Sequence, residues 1–333
     1  MKRVTIKEIA EKTGYSVNTV SRALSDRGEI KKETAEFIKK KAQEMGYLPN
    51  LLARGLSAKK TNTIGLIMGE TQNPYHWPVV GVIQKELTRR ALSLILANSE
   101  ETEKGLYNAV TLLLSSRVDG LLMFYPDKGE DSLRLLQEHN VPTVLLGTRS
   151  NAPISYIDLD QEKAGYTAAS YLIERGCRKI AFIGRDEETE PVKARRNGWS
   201  KALKDRNLDD SMYFAAESSL EGGYSLARSV DFLSLGIDGI VAYNDLIAIG
   251  VMRNLKERGV EIPNQISVIG FDNIHYGEYF YPSLTTIDVQ SGDIGRRAVD
   301  MLMNHISYKL EHNKVPFEKI ILEEKLVVRQ STR

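Results

Sequence analysis

The side chains best suited to recognising a nucleic acid lie near the N-terminus, on the outward face of a short predicted helix. Asn and Arg side chains make paired hydrogen bonds to base edges in the DNA major groove, and small neighbouring residues let a helix approach the groove closely. This combination predicts a helix that recognises DNA sequence. The residues expected to contact DNA here are Thr5, Ser16, Val17, Asn18, Thr19, Ser21 and Arg22.

Two short helices joined by a tight turn are expected to position these side chains. Thr5 followed by Glu8 predicts a capping box, in which each side chain hydrogen-bonds the backbone N–H of the other residue. Gly14 gives the turn its backbone freedom, and Ser16 is a favourable N-cap for a second helix that buries Val20. The pattern is typical of a helix-turn-helix. An ordinary helical subdomain is the alternative that this local pattern leaves open.

Charge is distributed unevenly along the 333 residues. Residues 1–60 carry 14 Lys or Arg against 7 Asp or Glu, whereas the whole chain has a formal net charge of +1. A basic segment on an acidic remainder indicates a polyanionic partner for the N-terminal segment alone. A third amphipathic helix is predicted over about residues 33–45 and ends at Gly46. Residues 1–46 are therefore expected to form a small all-α headpiece.

The overall composition is that of a soluble globular protein, with 42% hydrophobic and 27% charged residues. No apolar run approaches the ~20 residues of a membrane helix. The N-terminus lacks the apolar core of a signal peptide, so a cytoplasmic protein without membrane contact is expected. The single cysteine, Cys177, permits no internal disulfide, and the five His residues form no cluster with metal-ligand spacing. We therefore predict neither a metal nor a cofactor.

From residue 63 onward, short apolar strands alternate with amphipathic helices. Strands predicted at Thr63–Met68 and Ser267–Phe271, and helices such as 164–175, illustrate the alternation. It is typical of βαβ units in parallel sheets, and there are enough units for two lobes. Ligands of such sheets bind beyond the carboxyl ends of the strands. Polar residues that follow a strand are therefore candidate ligand contacts.

The segment VTIKEIAEKTGYSVNTVSRALS resembles the N-terminal signature of the LacI/GalR family of bacterial transcription regulators. The similarity continues through GYLPNLLARGLSAKKTNTIGLI and returns at PSLTTI near the C-terminus. It implies a helix-turn-helix headpiece at 1–46, a hinge at 47–62 and a two-lobed core at 63–333 that resembles the periplasmic-binding-protein fold. The chain would cross between the lobes three times, near residues 158–160, 288–290 and 319–322. The first lobe would hold about 63–159 and 290–320, and the second about 160–288 and 321–330.

The resemblance also implies that the hinge folds only on operator DNA, pairs with the partner's copy and inserts a leucine into the minor groove. Leu56 occupies the matching position. An inserted leucine kinks the duplex at a cost of roughly a few kcal/mol and widens the contact. So short a helix does not persist alone in water, and a disordered tether is the alternative for the free protein. The hinge residues expected to contact DNA are Asn50, Ala53, Arg54 and Leu56.

The side chains that follow the predicted strands are of the types that bind sugars. Carboxylates, amides and guanidinium groups hydrogen-bond hydroxyls, and aromatic rings pack on the apolar face of the ring. The effector contacts that the resemblance implies are Tyr75, His76, Trp77, Arg149, Arg195, Tyr224, Asn244 and Asp272. Helix capping is the alternative role for Asn244, and an ion pair is the alternative for Arg195. The chain departs from the family pattern at Gln161, where Asn is usual.

Taken together, these features predict a dimeric repressor that binds a pseudo-palindromic operator and responds to a small sugar-like effector. No leucine heptad follows the last strand, which favours a homodimer over a larger assembly. One alternative is a corepressed regulator that responds to a purine or a phosphorylated metabolite. Others are a sugar-binding transport protein, which the basic headpiece disfavours, and a sugar-active enzyme. We predict no enzyme, because no P-loop, G-x-S-x-G or dinucleotide-binding motif occurs.

Overall fold

The computed structural model describes residues 4–24, 30–47, 60–69, 73–124 and 129–333. The chain divides into two units, Met1–Asn62 and Thr63–Arg333, each with its own hydrophobic core. The division falls where the sequence changes from helical patterning to the alternation of strands and helices. Among the described residues, no helix is long and apolar enough to cross a bilayer.

The described residues of the first unit form three helices. They are α1 (Ile6–Thr13), α2 (Val17–Leu24) and α3 (Lys32–Glu44). The predicted capping box opens α1, since the N–H of Thr5 donates to Glu8 Oε2 at 2.8 Å and the N–H of Glu8 donates to Thr5 Oγ1 at 3.3 Å. Gly14 ends α1 with a φ of +75°, which only glycine adopts freely. The turn into α2 therefore begins at the glycine that the sequence predicted there.

These helices share a small apolar core. It is built from Ile9, Ala10, Val20, Ala23, Ile38 and Ala42. Because α2 buries Val20 and Ala23, its opposite face is left in solvent.

In the second unit, the residues that the structure describes form two six-stranded sheets with helices packed against them. The first sheet holds, in order across it, β11 (Lys319–Leu322), β5 (Ser155–Leu159), β4 (Thr143–Leu146), β3 (Gly120–Phe124), β1 (Thr63–Met68) and β2 (Ser93–Asn98). The second holds β12 (Lys325–Val327), β10 (Thr285–Asp288), β9 (Ser267–Phe271), β8 (Gly239–Ala242), β6 (Ile180–Arg185) and β7 (Tyr213–Ala216). The helices are α4 (His76–Arg89), α5 (Glu103–Ser115), α6 (Glu130–Glu138), α7 (Gln161–Glu174), α8 (Glu190–Lys204), α9 (Leu220–Ser229), α10 (Asp245–Glu257), α11 (Tyr276–Tyr279) and α12 (Ser291–His312). All strand pairs are parallel except β10 with β12.

We call the part that contains the first sheet lobe 1 and the part that contains the second sheet lobe 2. The chain passes between them at Asp160, at residues 289–290 and at residues 323–324. The prediction of a third crossing at 319–322 is wrong, because Lys319–Leu322 form β11, which pairs with β5. The boundary expected at 320/321 therefore falls inside an edge strand. Within that strand only Leu322 is buried, as expected at the edge of a sheet.

Two helices of lobe 2 pack backbone against backbone, and this contact positions the cavity described below. A Cβ at Gly165 of α7 would lie 2.0 Å from the carbonyl oxygen of Arg195 in α8. A Cβ at Gly198 of α8 would lie 1.9 Å from the carbonyl oxygen of Glu162. Glycine is required at both positions because neither carbonyl can move without shifting a helix. The contact holds the start of α7 against the middle of α8.

Candidate functional site

The outward face of α2 presents the side chains predicted to contact DNA. Val17, Asn18 and Arg22 are exposed, and Ser21 is half-buried on the same helix. The Ser16 hydroxyl caps α2 by accepting from the N–H of Thr19 at 3.1 Å. An apolar side chain such as Val17, which is 51% exposed, suits contact with a thymine methyl group. The face therefore combines amide, guanidinium, hydroxyl and methyl groups on one short helix.

The structure does not describe the predicted hinge contacts, which are Asn50, Ala53, Arg54 and Leu56. Their DNA contacts, and the folding of residues 47–62 on DNA, stay predictions.

A central cavity lies where the carboxyl ends of the two sheets face each other. Its walls come from residues at or after the ends of strands in both sheets, so both lobes contribute. Of the predicted effector contacts, four line it: Tyr75, His76, Arg195 and Asp272. Lining residues that were not selected from the sequence include Asn73, Phe124, Gln161 and Tyr243. A volume of about 130 Å³ suits a small ligand.

Arg195 is the cation at the centre of the cavity wall and is 5% exposed. Its Nε donates to Gln161 Oε1 at 2.8 Å, and its Nη1 donates to the backbone carbonyl of Tyr243. The guanidinium carbon also lies 4.8 Å from the ring centroid of Tyr243 and 4.4 Å from that of Phe271. Two aromatic faces and two hydrogen bonds hold the group in one orientation. The predicted alternative, an ion pair alone, does not describe this environment.

Asp272 faces Arg195 from the turn after β9 and is joined to lobe 1. Asn73 Nδ2 donates to Asp272 Oδ2 at 3.4 Å, which connects residues of the two lobes across the cavity. The buried carboxyl of Asp245 supports this turn, since it accepts from the N–H of Ile274 at 2.8 Å. Burial raises the pKa of Asp272 to about 6, although Arg195 and the Asn73 hydrogen bond oppose the rise. At neutral pH the carboxylate form accepts hydrogen bonds from a ligand.

The raised pKa of Asp272 predicts a pH dependence of folding stability. A carboxyl that binds its proton more tightly when folded adds stability at acid pH, and this is lost as pH rises through its folded pKa of about 6. Between pH 5 and pH 7, wild type should therefore lose about 1 kcal/mol of unfolding free energy relative to Asp272→Asn. Urea unfolding of both proteins at the two pH values measures this difference. An equal change of unfolding free energy between pH 5 and pH 7 in wild type and variant would contradict a raised pKa of Asp272.

An aromatic wall stands opposite these polar groups, at the start of α4. The ring of His76 lies 5.2 Å from that of Tyr75 and 4.5 Å from that of Phe124. Burial, reinforced by Asp272, raises the pKa of Tyr75, so its hydroxyl stays protonated. The α4 helix begins at His76, which puts both rings at its N-terminal turn. These rings offer flat apolar surface to a planar or ring-shaped ligand.

Four predicted effector contacts lie away from the central cavity. Trp77 is 50% exposed and does not line the cavity. Asn244 caps α10, since its Oδ1 accepts from the N–H of Ile247 at 2.9 Å; capping was the predicted alternative. Tyr224 lies inside α9, and its hydroxyl donates to Glu257 at 2.8 Å. The structure therefore places Tyr224 away from the residues that line the central cavity.

Arg149 is the fourth of these residues, and it belongs to a neighbouring groove. Its Nε donates to Asp158 Oδ2 at 2.8 Å within lobe 1. The groove is open to solvent and is lined on the lobe 2 side by the acidic segment at residues 186–190. Arg149 therefore does not supply a second cation to the central cavity.

A second contact between the lobes lies at the mouth of the cavity. Arg185, at the end of β6, donates to Glu101 of lobe 1 at 3.1 Å and lies 3.5 Å from Glu187 of its own lobe. Glu100 and Glu101 both have left-handed backbone angles, with φ of 51° and 52°. Non-glycine residues adopt this region at a cost, which the surrounding contacts must offset.

In the described part of the chain, no group of three His, Cys, Asp or Glu is arranged to hold a metal.

Known proteins resemble both units of this chain. The family model for bacterial regulatory proteins of the lacI family matches residues 5–50, and the model for a periplasmic binding protein-like domain matches residues 169–332. A curated relative from Vibrio vulnificus (strain CMCP6), HTH-type transcriptional repressor PurR, is 31% identical over 335 residues. That similarity covers 99% of this chain and 98% of the relative.

Solved structures give the same result. A lac repressor dimer bound to operator and the anti-inducer ONPF is 26% identical, with a TM-score of 0.88 and 99% of each chain covered. A LacI family regulator from Enterococcus faecium with bound ribose is 27% identical, with a TM-score of 0.72. It covers 81% of this chain and 98% of that chain. The similarity therefore extends over the headpiece and over both lobes.

Proposed function

Because this chain belongs to the lacI family of bacterial regulatory proteins, we propose that a small uncharged ligand, bound between its two lobes, controls its binding to operator DNA. The family consists of DNA-binding transcriptional repressors rather than enzymes. The observation that carries the proposal is the central cavity, lined from both lobes and spanned by the Asn73–Asp272 hydrogen bond. A ligand that contacts both lobes binds their different arrangements with different affinity, and only such a ligand can shift the equilibrium between them. Its site of action is the cytoplasm, where operator DNA lies.

The charges around the cavity support an uncharged ligand. Two guanidinium groups, Arg185 and Arg195, are matched by the carboxyls of Glu101, Glu187 and Asp272. An anionic ligand would meet no excess of positive charge, and burying its charge without a partner would be costly. The phosphorylated metabolites considered from the sequence are therefore the weaker candidates.

A purine base is the first candidate for the ligand. Curated relatives from Haemophilus influenzae and Vibrio vulnificus that resemble this chain over nearly its whole length bear the name PurR, which denotes purine-responsive repressors. The aromatic wall at Tyr75, His76 and Phe124 offers rings against which a planar base can stack, and Asp272 and Arg195 offer an acceptor and a donor. In such a regulator the ligand acts as a corepressor and tightens DNA binding.

A sugar, the effector predicted first from the sequence, becomes the second candidate. One family structure holds ribose, and aromatic rings opposite carboxylate and amide groups suit a sugar equally well. The two candidates differ in expected sign, because a sugar is expected to act as an inducer that weakens operator binding.

DNA contact is assigned to the outward face of α2 and, by the resemblance, to the hinge residues Asn50, Ala53, Arg54 and Leu56. We propose a homodimer on a pseudo-palindromic operator, as in the lac repressor dimer. The segment after β9 supports this, since Tyr276, Tyr279 and Tyr281 are 60%, 74% and 77% exposed. Clustered exposed aromatic residues are typical of protein interfaces.

The Arg22→Ala variant is expected to lose sequence discrimination. A paired contact to a base edge contributes about 1–3 kcal/mol, so the ratio of operator to random-DNA affinity should fall roughly 10- to 100-fold. Fluorescence anisotropy with labelled operator and scrambled duplexes measures the ratio. The matched control is Lys40→Ala, which removes an exposed cation on α3 and should leave the ratio unchanged. An unchanged ratio in Arg22→Ala would contradict the assignment of α2.

A thermal-shift screen of the full chain against purine bases and neutral sugars tests the ligand proposal. A ligand that binds only the folded protein at 100 times its Kd adds about 2.7 kcal/mol of stability. Each compound that raises the unfolding temperature is then added to an operator-binding assay, the operator being selected from random duplexes. Stabilisation by a purine with tighter operator binding supports the first candidate. Stabilisation by phosphorylated sugars alone would contradict the proposal of an uncharged ligand.

A further inference from the structure

Gln161 occupies a position that joins the two lobes chemically. It is the first residue of α7, directly after the first crossing at Asp160, and it is 6% exposed. Its Nε2 donates to Oδ1 of Asp158 in lobe 1 at 3.0 Å, and its Oε1 accepts from Nε of Arg195 in lobe 2 at 2.8 Å. One buried amide therefore bridges a carboxylate of one lobe and a guanidinium of the other.

The two partners determine which way this amide points. The Asp158 carboxylate only accepts hydrogen bonds and the Arg195 guanidinium only donates them. A side chain between them must donate at one end and accept at the other, which a primary amide does. Glu at this position would offer no donor to Asp158, and Met would satisfy neither partner. Asn is one methylene shorter, so it is expected to reach only one of the two.

The bridge has a consequence for what Arg195 can bind. Guanidinium groups hold carboxylates and phosphates most strongly through two parallel N–H groups. In this protein the Nε–H belongs to Gln161 and an Nη1–H belongs to the carbonyl of Tyr243. The rings of Tyr243 and Phe271 prevent the group from turning to offer another edge. The paired edge of Arg195 that includes Nε is therefore closed to a cavity ligand, and one of the Nη1 N–H groups is also occupied.

We propose that Gln161 is a positioning residue that makes the central cavity select uncharged ligands, by occupying the Nε–H of Arg195. This inference rests on the proposed function, because it names the class of ligand admitted to the same cavity. The proposal assigns a role to Gln161, which follows the first crossing between the lobes and stands where Asn is usual in the family. The longer Gln side chain spans the distance from Asp158 to Arg195.

The test uses the full chain, inorganic phosphate as the anionic probe and NMR of the arginine Nε–H groups. The Arg195 signal is assigned by its loss in Arg195→Lys. In wild type, the Arg195 Nε–H should exchange slowly with water and should not shift when phosphate replaces chloride at constant ionic strength. In Gln161→Met, exchange should become at least tenfold faster and phosphate should bind at least tenfold more tightly. Gln84→Met, an exposed glutamine on α4, is the matched control and should behave as wild type.

Two further variants separate positioning from a general loss of structure. Gln161→Glu keeps an acceptor for Arg195, so slow exchange and weak phosphate binding should be restored. Gln161→Asn is polar and one methylene shorter, so it should leave Arg195 and show fast exchange; it replaces Gln161→Met if that variant fails to fold.

Two results would overturn the proposal. One is the same exchange rate and phosphate affinity in wild type and in the Met or Asn variant. The other is faster exchange without tighter phosphate binding, because Gln161 would then hold Arg195 without governing selectivity. Failure of every purine and sugar to affect operator binding would count against the proposed function and would leave these NMR results unaffected.

Discussion

The Arg195→Met variant is expected to lose the effect of the cavity ligand on operator binding. Truncating one partner of a buried, hydrogen-bonded charge costs about 2–5 kcal/mol, so ligand affinity should fall by roughly 30-fold or more. The loss follows from the position of Arg195, which is bonded to Gln161 and Tyr243 and faces Asp272 in the cavity wall. Operator binding without ligand should persist, because α2 and the headpiece core are unchanged.

The measurement is operator affinity with and without the compound identified by the thermal-shift screen. The matched control is Arg196→Met, the next residue of α8, whose guanidinium pairs with Glu188 at 2.7 Å and does not line the cavity. The control should keep ligand affinity within about threefold of wild type. A full ligand response in Arg195→Met would show that the ligand binds elsewhere.

The Gly165→Ala variant should have the largest effect on stability, about 3 kcal/mol. The added methyl group would lie 2.0 Å from the carbonyl oxygen of Arg195, so α7 and α8 must separate. The separation also moves Arg195 relative to Gln161, so ligand affinity should fall together with stability. Urea unfolding gives the free energy, and ligand titration of the folded variant gives the affinity.

Gly81→Ala on α4 is the control, because a Cβ there meets nothing within 4 Å. At an exposed helical position the same substitution should stabilise by about 0.5–1 kcal/mol, since Ala has the higher helix propensity. Opposite signs for the two substitutions are therefore expected. Equal effects would mean that the α7–α8 contact is looser than the structure has it.

The headpiece could be predicted from sequence because its signals are local. The capping box pairs residues three apart, and the turn glycine follows the helix that it ends. The βαβ alternation likewise predicted the two lobes, since each unit has its own apolar pattern. By contrast, the edge strand at Lys319–Leu322 pairs with a strand more than 150 residues earlier. The residues of this strand do not indicate which strand it pairs with, so the third crossing between the lobes was predicted at the wrong residues.

The cavity was predictable only in part, because it too depends on residues that are distant in sequence. Asp272 and Arg195 follow a strand or lie near one, and the resemblance named them. The partners that hold them, Asn73 and Gln161, become visible only when residues distant in sequence meet. For Asn244 the local alternative of helix capping describes what the structure shows. Tyr224 lies away from the cavity because its glycine-rich segment is part of α9, where Gly223 allows close contact with α10.

The most direct test of the account is whether ligand and operator influence each other's binding by the same factor. Ligand affinity is measured by calorimetry with and without saturating operator, and operator affinity by anisotropy with and without saturating ligand. Coupling between the cavity and the headpiece predicts equal factors, of about 5- to 150-fold, and their joint loss in Arg195→Met. A ligand that binds the cavity tightly and leaves operator affinity unchanged would contradict the account.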